Sequence, residues 1–437
     1  MSSTFTPELE PGVLERLHAY AWAFRPLFQR IDQCLHGRTY LHGLLLDGER
    51  KSIEPLSQRV PGGNEQALQQ FINQSPWAAE PVLAEYRARL AAVFARANGV
   101  IVVDDTGFPK QGKHSVGVAR QYSGTLGKTG NCQIAVSVHY VTAAADYPLA
   151  LRLYLPRAWC EAPDRLERAR VPAADRAFKP KWQIALELVD TVRAEGLPHQ
   201  VVVADAGYGA ITEFRTALEQ RQEAYIVGLA GTESVFAQPP QWEGAPRRTR
   251  VHLAADAPRP VAVKTLAADL PRTRVCWRTG EHGAREAEFA WVRVWPAHGW
   301  QDGIPSTPPP DPAATARWLL VEWRADGTVK YALSNLPADT VLPDAVGPWK
   351  QRWQVEQGYQ QLKDELGLDH FEGRSWVGFH HHATMTFLAY GFLALERHRA
   401  ADCARTSGPA PPPGAAAADP VPTPPPEPAP GEPGRGA

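Results

Sequence analysis

Three acidic residues have the types and settings that phosphodiester chemistry requires. Asp105 follows the apolar run Val100-Ile101-Val102-Val103, Asp205 follows Val201-Val202-Val203, and Glu356 stands in Trp349-Lys-Gln-Arg-Trp-Gln-Val-Glu356. Two carboxylates at strand ends and one on a helix can converge on a hard divalent cation, whose preferred ligands are carboxylate oxygens. Asp105 and Asp205 lie 100 residues apart, and Asp205 and Glu356 lie 151 apart. No local metal-binding loop spans such intervals, so the fold has to assemble the site.

The elements that must do so can be read from apolar spacing. Residues from about 10 to 97 read as mostly helical, with stretches such as Glu65 to Asn73 and Leu83 to Ala97 at helix period. A strand-like rhythm starts at Val100 and continues through Gln133 to Val141 and Leu149 to Leu155. An amphipathic helix from about Lys181 to Glu195 follows, then Val201 to Ala204, a helix near Ile211 to Gln222, and Tyr225 to Leu229. Three strands, a helix, a strand, a helix and a strand match a ribonuclease-H-like core. From Gly231 to about Leu342 strands take over, including Glu288 to Trp295 and a hairpin of Arg317 to Arg324 with Val329 to Leu333. Helices resume after Pro348, and beyond Ser407 the chain is mainly Pro, Ala and Gly, a composition of disorder.

The expected fold class is therefore α/β: a ribonuclease-H-like catalytic core interrupted by a β-rich insertion, with a helical N-terminal region. The expected segments are 1–97 (helical, DNA binding), 98–230 (first part of the core), 231–345 (insertion), 346–402 (C-terminal helices of the core) and 403–437 (disordered tail).

On the third helix Trp349, Arg352, Glu356 and Lys363 share one stripe, while Val355, Tyr359, Leu362 and Leu366 form a neighbouring apolar stripe. Arg352 and Lys363 would hold DNA phosphates beside the metal; the plainer alternative is a solvent-facing helix with i,i+4 ion pairs. A second basic feature lies nearby. From Thr106 to Ala145 there is no Asp or Glu, while Lys110, Lys113, Arg120 and Lys128 occur with His114 and six glycines. Such a segment suits a phosphate backbone, because each cation set on a phosphate releases a condensed counterion, and it equally suits a solvated flexible loop.

Composition sets the outer limits. The 437 residues carry a formal net charge of −1, so any affinity for DNA must come from local patches. Five scattered cysteines without a C-x-x-C pair indicate neither a disulfide framework nor a thiolate zinc site. No secretory h-region and no apolar run of membrane-spanning length is present, so a soluble, cytoplasmic protein is expected.

The pattern W-x2-R-x3-E-x6-K resembles the Y-x2-R-x3-E-x6-K signature of DDE transposases related to insertion sequence 4. The block Asp104-Asp-Thr-Gly-Phe-Pro-Lys-Gln-Gly-Lys-His-Ser-Val-Gly-Val-Ala-Arg-Gln-Tyr-Ser-Gly-Thr-Leu-Gly-Lys, with Ala204-Asp-Ala-Gly-Tyr-Gly, is similar to insertion sequence 701 transposases. The likeness runs from roughly Arg25 to Arg397. It implies that Asp105, Asp205 and Glu356 are the catalytic, metal-binding acids, with Asp105 chosen because Thr106 follows it. Strand alternation puts Asp104 and Asp105 on opposite faces, so one of them is the ligand unless the strand is bulged. Trp349 replaces the family's Tyr and cannot reproduce the acceptor of a phenol.

The resemblance further implies metal-dependent cleavage at insertion-sequence ends and strand transfer into target DNA. Two Mg2+ ions, for which Mn2+ can substitute, would activate the attacking oxygen and stabilise the leaving one. The implied partners are double-stranded DNA, both terminal inverted repeats and target, held by a dimer in association with a bacterial nucleoid. The implied DNA contacts are Lys110, Lys113, Arg120, Lys128, Trp349, Arg352 and Lys363. The alternatives are an inactive, transposase-derived DNA-binding protein and a host nuclease with the same two-metal site.

Other signals point elsewhere. Gly127-Lys128-Thr129 lacks the earlier glycine of a Walker A loop, since Tyr122 stands there. His380-His381-His382 cannot form a compact metal site on one helix, because successive residues point about 100° apart. Cys132 reads as a small buried hydrophobe, and Trp291 and Trp295 as core in preference to a stacking platform for DNA.

Overall fold

The computed structural model describes residues 10–243, 252–280, 283–297 and 315–406. The N-terminal region folds as helices, among them Ile31–Leu45, Glu65–Asn73 and Ala79–Phe94. Asn64 caps the second of these, its Oδ1 accepting from the Ala67 N–H at 2.9 Å, and Leu68, Phe71 and Ile72 form the buried stripe. The chain then enters β1 (Val100–Pro109), β2 (Ala119–Ser123), β3 (Lys128–Val141) and β4 (Asp146–Leu153). The helix Lys181–Ala194, β5 (Val201–Ala204), the helix Thr212–Gln220 and β6 (Tyr225–Leu229) follow.

Strand order is β4-β3-β1-β5-β6, with β1 antiparallel to β3 and parallel to β5, and β5 parallel to β6. Val100–Val103 and Val201–Ala204 are fully buried, as strands covered on both faces must be, which is why they read as unbroken apolar runs. The acid-free segment is more ordered than a flexible loop. Much of it is the far end of β1, β2 and β3, where Ala119–Ser123 pairs with Lys128–Cys132. Of its six glycines Gly107 and Gly130 lie in strands, Gly112 and Gly117 lie between β1 and β2, and Gly124 and Gly127 lie in the β2–β3 turn.

The strands expected after Gly231 are β7 (Ser234–Phe236), β8 (Trp242–Glu243), β9 (His252–Leu253), β10 (Val261–Ala262), β11 (Thr273–Gly280), β12 (Gly283–Pro296), β13 (Arg317–Trp323) and β14 (Val329–Ser334). Most of them extend the same sheet. β14 lies antiparallel to β6, β13 and β12 follow it, and β11 and β7 both pair with β12. The β13–β14 hairpin turns at Asp326 and at Gly327, whose φ is +81°.

After β14 comes the helix Leu342–Gln360, a π-helical turn Gln361–Glu365, and the helix Trp376–Thr406. Residues to Leu395 form one unit, and a second begins at Glu396. Among the described residues no helix is long and apolar enough to cross a membrane. The Pro/Ala-rich tail beyond Ser407 lies outside the described residues.

Candidate active site

The two faces of β1 are covered by different helices, and this decides where each acid points. Asp104 pairs with Ser137 and Asp105 with Val136; residues opposite one another in antiparallel strands share a face. Ser137 Oγ meets the hydroxyl of Tyr359, on the helix that carries Glu356. Phe108, on the same face as Asp104, packs edge-on against Phe379 at 5.4 Å. The Glu356 helix and the C-terminal helix therefore lie over the Asp104 side.

The opposite side belongs to the helix Lys181–Ala194. Val136 pairs with Arg152, which shares Glu187 of that helix with Lys179. Lys181 closes on Asp105, Nζ to Oδ2 at 2.5 Å.

Asp205 ends β5. Val103 pairs with Ala204 in the parallel ladder, so Asp104 and Asp205 are the next residues on two adjacent strands. Asp205 Oδ1 accepts from the N–H groups of Gly207 (2.9 Å) and Tyr208 (3.3 Å), fixing the short turn Ala206–Gly209. That turn lies directly on β6: a Cβ on Gly209 would stand 1.9 Å from the Gly228 carbonyl, so glycine at position 209 is a packing requirement.

The Asp104 carboxyl is pinned by the Asp105 N–H at 2.8 Å. Burial raises its pKa to about 7; Asp205 and Asp105 add to the rise, and Arg352 opposes it. Arg352 is also within 3.5 Å of Glu356, one turn further along its helix, where the Glu356 side chain is 54% exposed. Arg352 thus acts on Asp104, the neighbour of Asp205 in register, and pairs with Glu356, whereas Asp105 lies on the opposite face of β1 and pairs with Lys181. The sequence expectation joined Asp105 to Asp205 and Glu356; along the regular, unbulged β1, alternation sets Asp104 and Asp105 on opposite faces.

The donors suit a hard divalent cation. They are carboxylate oxygens, and Asp205 and Asp105 add negative charge to the burial that raises the pKa of Asp104. Among the described residues, however, no group of three or more His, Cys, Asp or Glu is close enough to hold one ion already.

The expected DNA contacts divide. Lys113, Arg120 and Lys128 are exposed. Lys110 instead donates to the Phe371 carbonyl at 2.7 Å. Trp349 is 7% exposed and its indole N–H donates to Glu322 at 2.8 Å, so it is a packing residue and not a phosphate or base contact. Lys363 is also buried: its ammonium donates to the Gly107 carbonyl (3.0 Å) and Thr125 Oγ1 (3.2 Å). The seven-residue stripe from Glu356 fails at Lys363 because the intervening helix becomes π-helical at Gln361, which changes the angle per residue. Lys363 consequently ties the β2–β3 turn to β1.

His380, His381 and His382 are packing groups. Burial lowers each to a pKa of about 4, and His382 Nδ1 meets the Tyr40 hydroxyl at 2.8 Å. Trp291 stacks on Trp318 at 4.6 Å, and Cys132 is buried.

Sequence reasoning passed over Lys181. Its signal is its position: a cation in the first turn of a helix opposes the helix dipole and calls for an outside anion. Thr125 was also missed, since nothing local marks one hydroxyl in a glycine-rich turn as a bridge between Gly107 and Lys363.

Residues 23–284 match the profile of the DDE superfamily endonucleases, and residues 182–392 match that of the transposase DDE domain. The chain is 30% identical over 335 residues to a probable transposase for insertion sequence element IS701 from Microchaete diplosiphon, covering 76% of this chain and 75% of that protein. With the matched profiles spanning both aspartates and the helix of Glu356, this chain belongs to the DDE superfamily of endonucleases and to its transposases.

Proposed function

We propose that this protein cuts DNA at the ends of an insertion sequence and joins the released 3′-hydroxyls to target DNA. The observation that carries the reading is the meeting of adjacent strand ends, Asp104-Asp105 and Asp205, with the helix of Arg352 and Glu356 in a chain of the DDE family. The acids would hold Mg2+ as a pair of ions, with Mn2+ as a substitute: Asp205, Glu356 and one carboxylate of the Asp104-Asp105 step. When bound, the metal supplies charge stabilisation to the attacking and leaving oxygens. Arg352 would neutralise charge on the phosphate, and Lys113, Arg120 and Lys128 would seat the backbone.

In this reading β4-β3-β1-β5-β6 is a ribonuclease-H-like core, and the strands between Asp205 and Glu356 are its insertion. Residues 1–97 are a helical DNA-binding region, 98–230 and 346–402 the two parts of the core, 231–345 the insertion and 403–437 a tail. Pairing two DNA ends requires a dimer on DNA, working at the bacterial nucleoid.

The test is cleavage of DNA bearing the gene's own flanking ends, with Mg2+ or EDTA, by wild type and Glu356→Gln. Metal-dependent nicking at the element boundary that the variant lacks supports the proposal. Binding without cutting by wild type would instead indicate a DNA-binding relic.

A further inference from the structure

Tyr122 is 64% exposed, the most open large hydrophobic residue among those described, and yet it stands on a firmly held ribbon. Its β2 neighbour Ser123 faces the other way, is buried, and lies so close on β1 that a Cβ on Gly107 would stand 2.0 Å from its Oγ. In the turn beyond, Thr125 Oγ1 accepts from the Gly107 N–H at 3.3 Å and from the Lys363 ammonium at 3.2 Å. On the partner strand Asn131 donates to the carbonyls of Lys110 (2.6 Å) and Gly112 (2.9 Å). The ribbon is therefore clamped to β1 two residues past Asp105, and its outward ring is set in place before any ligand arrives, which keeps the ordering cost of binding low.

Arg120, two residues before Tyr122, shares its face, with Asn131 and Thr129 opposite the pair, and no Asp or Glu occurs from Thr106 to Ala145. An aromatic ring beside a guanidinium on a surface without carboxylates fits a nucleic-acid strand, whose bases stack and whose phosphates pair with cations. Inside an intact duplex both faces of every base are already stacked, so the ring finds a partner where pairing is broken. We propose that Tyr122 stacks on an unpaired base beside the cut while Arg120 meets the adjoining phosphate, so that the β2–β3 ribbon grips the opened DNA end.

This rests on the DNA-cutting reading, and its test separates the two. The full chain as wild type, Tyr122→Ala and Tyr122→Phe is titrated at one salt concentration with two forms of the gene's own flanking end, one fully paired and one with a few unpaired bases at the element boundary. Wild type is expected to prefer the unpaired form about tenfold, Tyr122→Phe to keep that preference within about threefold because the ring remains, and Tyr122→Ala to lose it. A fluorescent purine analogue as the unpaired base reports the contact itself: wild type and Tyr122→Phe are expected to quench it by stacking, and Tyr122→Ala to leave it bright. Undiminished preference or quenching in Tyr122→Ala, or loss of either in Tyr122→Phe, overturns the proposal, as does wild type that binds both forms alike or leaves the analogue bright. Wild type that binds neither form overturns the DNA reading itself, and the proposal with it.

Discussion

The β2–β3 hairpin and the β11–β13 strands are both antiparallel and both rich in arginine or lysine, yet they treat those charges in opposite ways. Around β11–β13 several of the cations are matched by acids. Arg272 meets Glu288 at 3.1 Å, Arg274 meets Glu286 at 3.3 Å, and Glu322, 1% exposed, takes Lys350 at 2.5 Å, Arg324 at 2.9 Å and the Trp349 indole. On the hairpin Arg120 and Lys128, and on the loop before it Lys113, are exposed within a stretch that contains no acid at all. Cations alone therefore do not mark a DNA surface. A phosphate backbone selects those whose counterions can be released, and a cation with its own carboxylate has none to give.

The sharpest way to test the role of the site between these regions is to remove its acids. Asp205→Ala and Glu356→Gln are each expected to lower DNA cleavage by at least about a thousandfold, read as nicked product on a gel, with end binding retained. Undiminished cutting by either variant would take that residue out of the chemistry.

Next in size is the buried charge of β13. Glu322→Ala leaves Lys350 and the Trp349 N–H without their acceptor, and a loss of about 3–5 kcal/mol in urea unfolding is expected. Burial pushes the Glu322 pKa up, but Lys350, Trp349 and Arg324 together hold it below its ordinary 4.5. A carboxylate with a depressed folded-state pKa contributes stability above its unfolded value, so this contribution is complete above pH 4.5 and falls away as the pH drops through the folded value. Glu322→Gln should show a flatter decline in that acid range, and an identical pH profile would mean that the cluster is not the source.

Smaller effects should separate the two basic regions directly. Each of Lys113→Ala, Arg120→Ala and Lys128→Ala is expected to reduce the slope of log affinity against log salt by about 0.9, weakening binding to any DNA sequence alike. Arg274→Ala, which removes a solvent-exposed pair, is expected to leave that slope unchanged and to alter stability by less than about 1 kcal/mol. A slope change at Arg274 as large as at Lys128 would erase the distinction.

Much of the fold was legible because burial imposes periodicity. Val201–Ala204 and Tyr225–Leu229 were bounded correctly from composition alone, since a strand covered on both faces has to be apolar throughout. The apolar stripe Val355, Tyr359, Leu362 and Leu366 is buried as its spacing requires. β2 escaped notice because its exposed Arg120 and Tyr122 and the glycines around it resemble a loop; its pairing with β3 is a property of two segments and not of one.

By itself the sequence determined which acids were candidates, their family, and the strands and helix that carry them, since these depend on residue type and local period. Tertiary structure decided which of those residues meet. Neighbouring aspartates are chemically identical in sequence, but one faces Arg352 and the other Lys181, and only the register of β1 against β3 and β5 fixes which is which. Lys363 and Trp349 match a reactive helix stripe, yet packing against Gly107 and Glu322 buries them, because a side chain's environment comes from partners hundreds or tens of residues away along the chain.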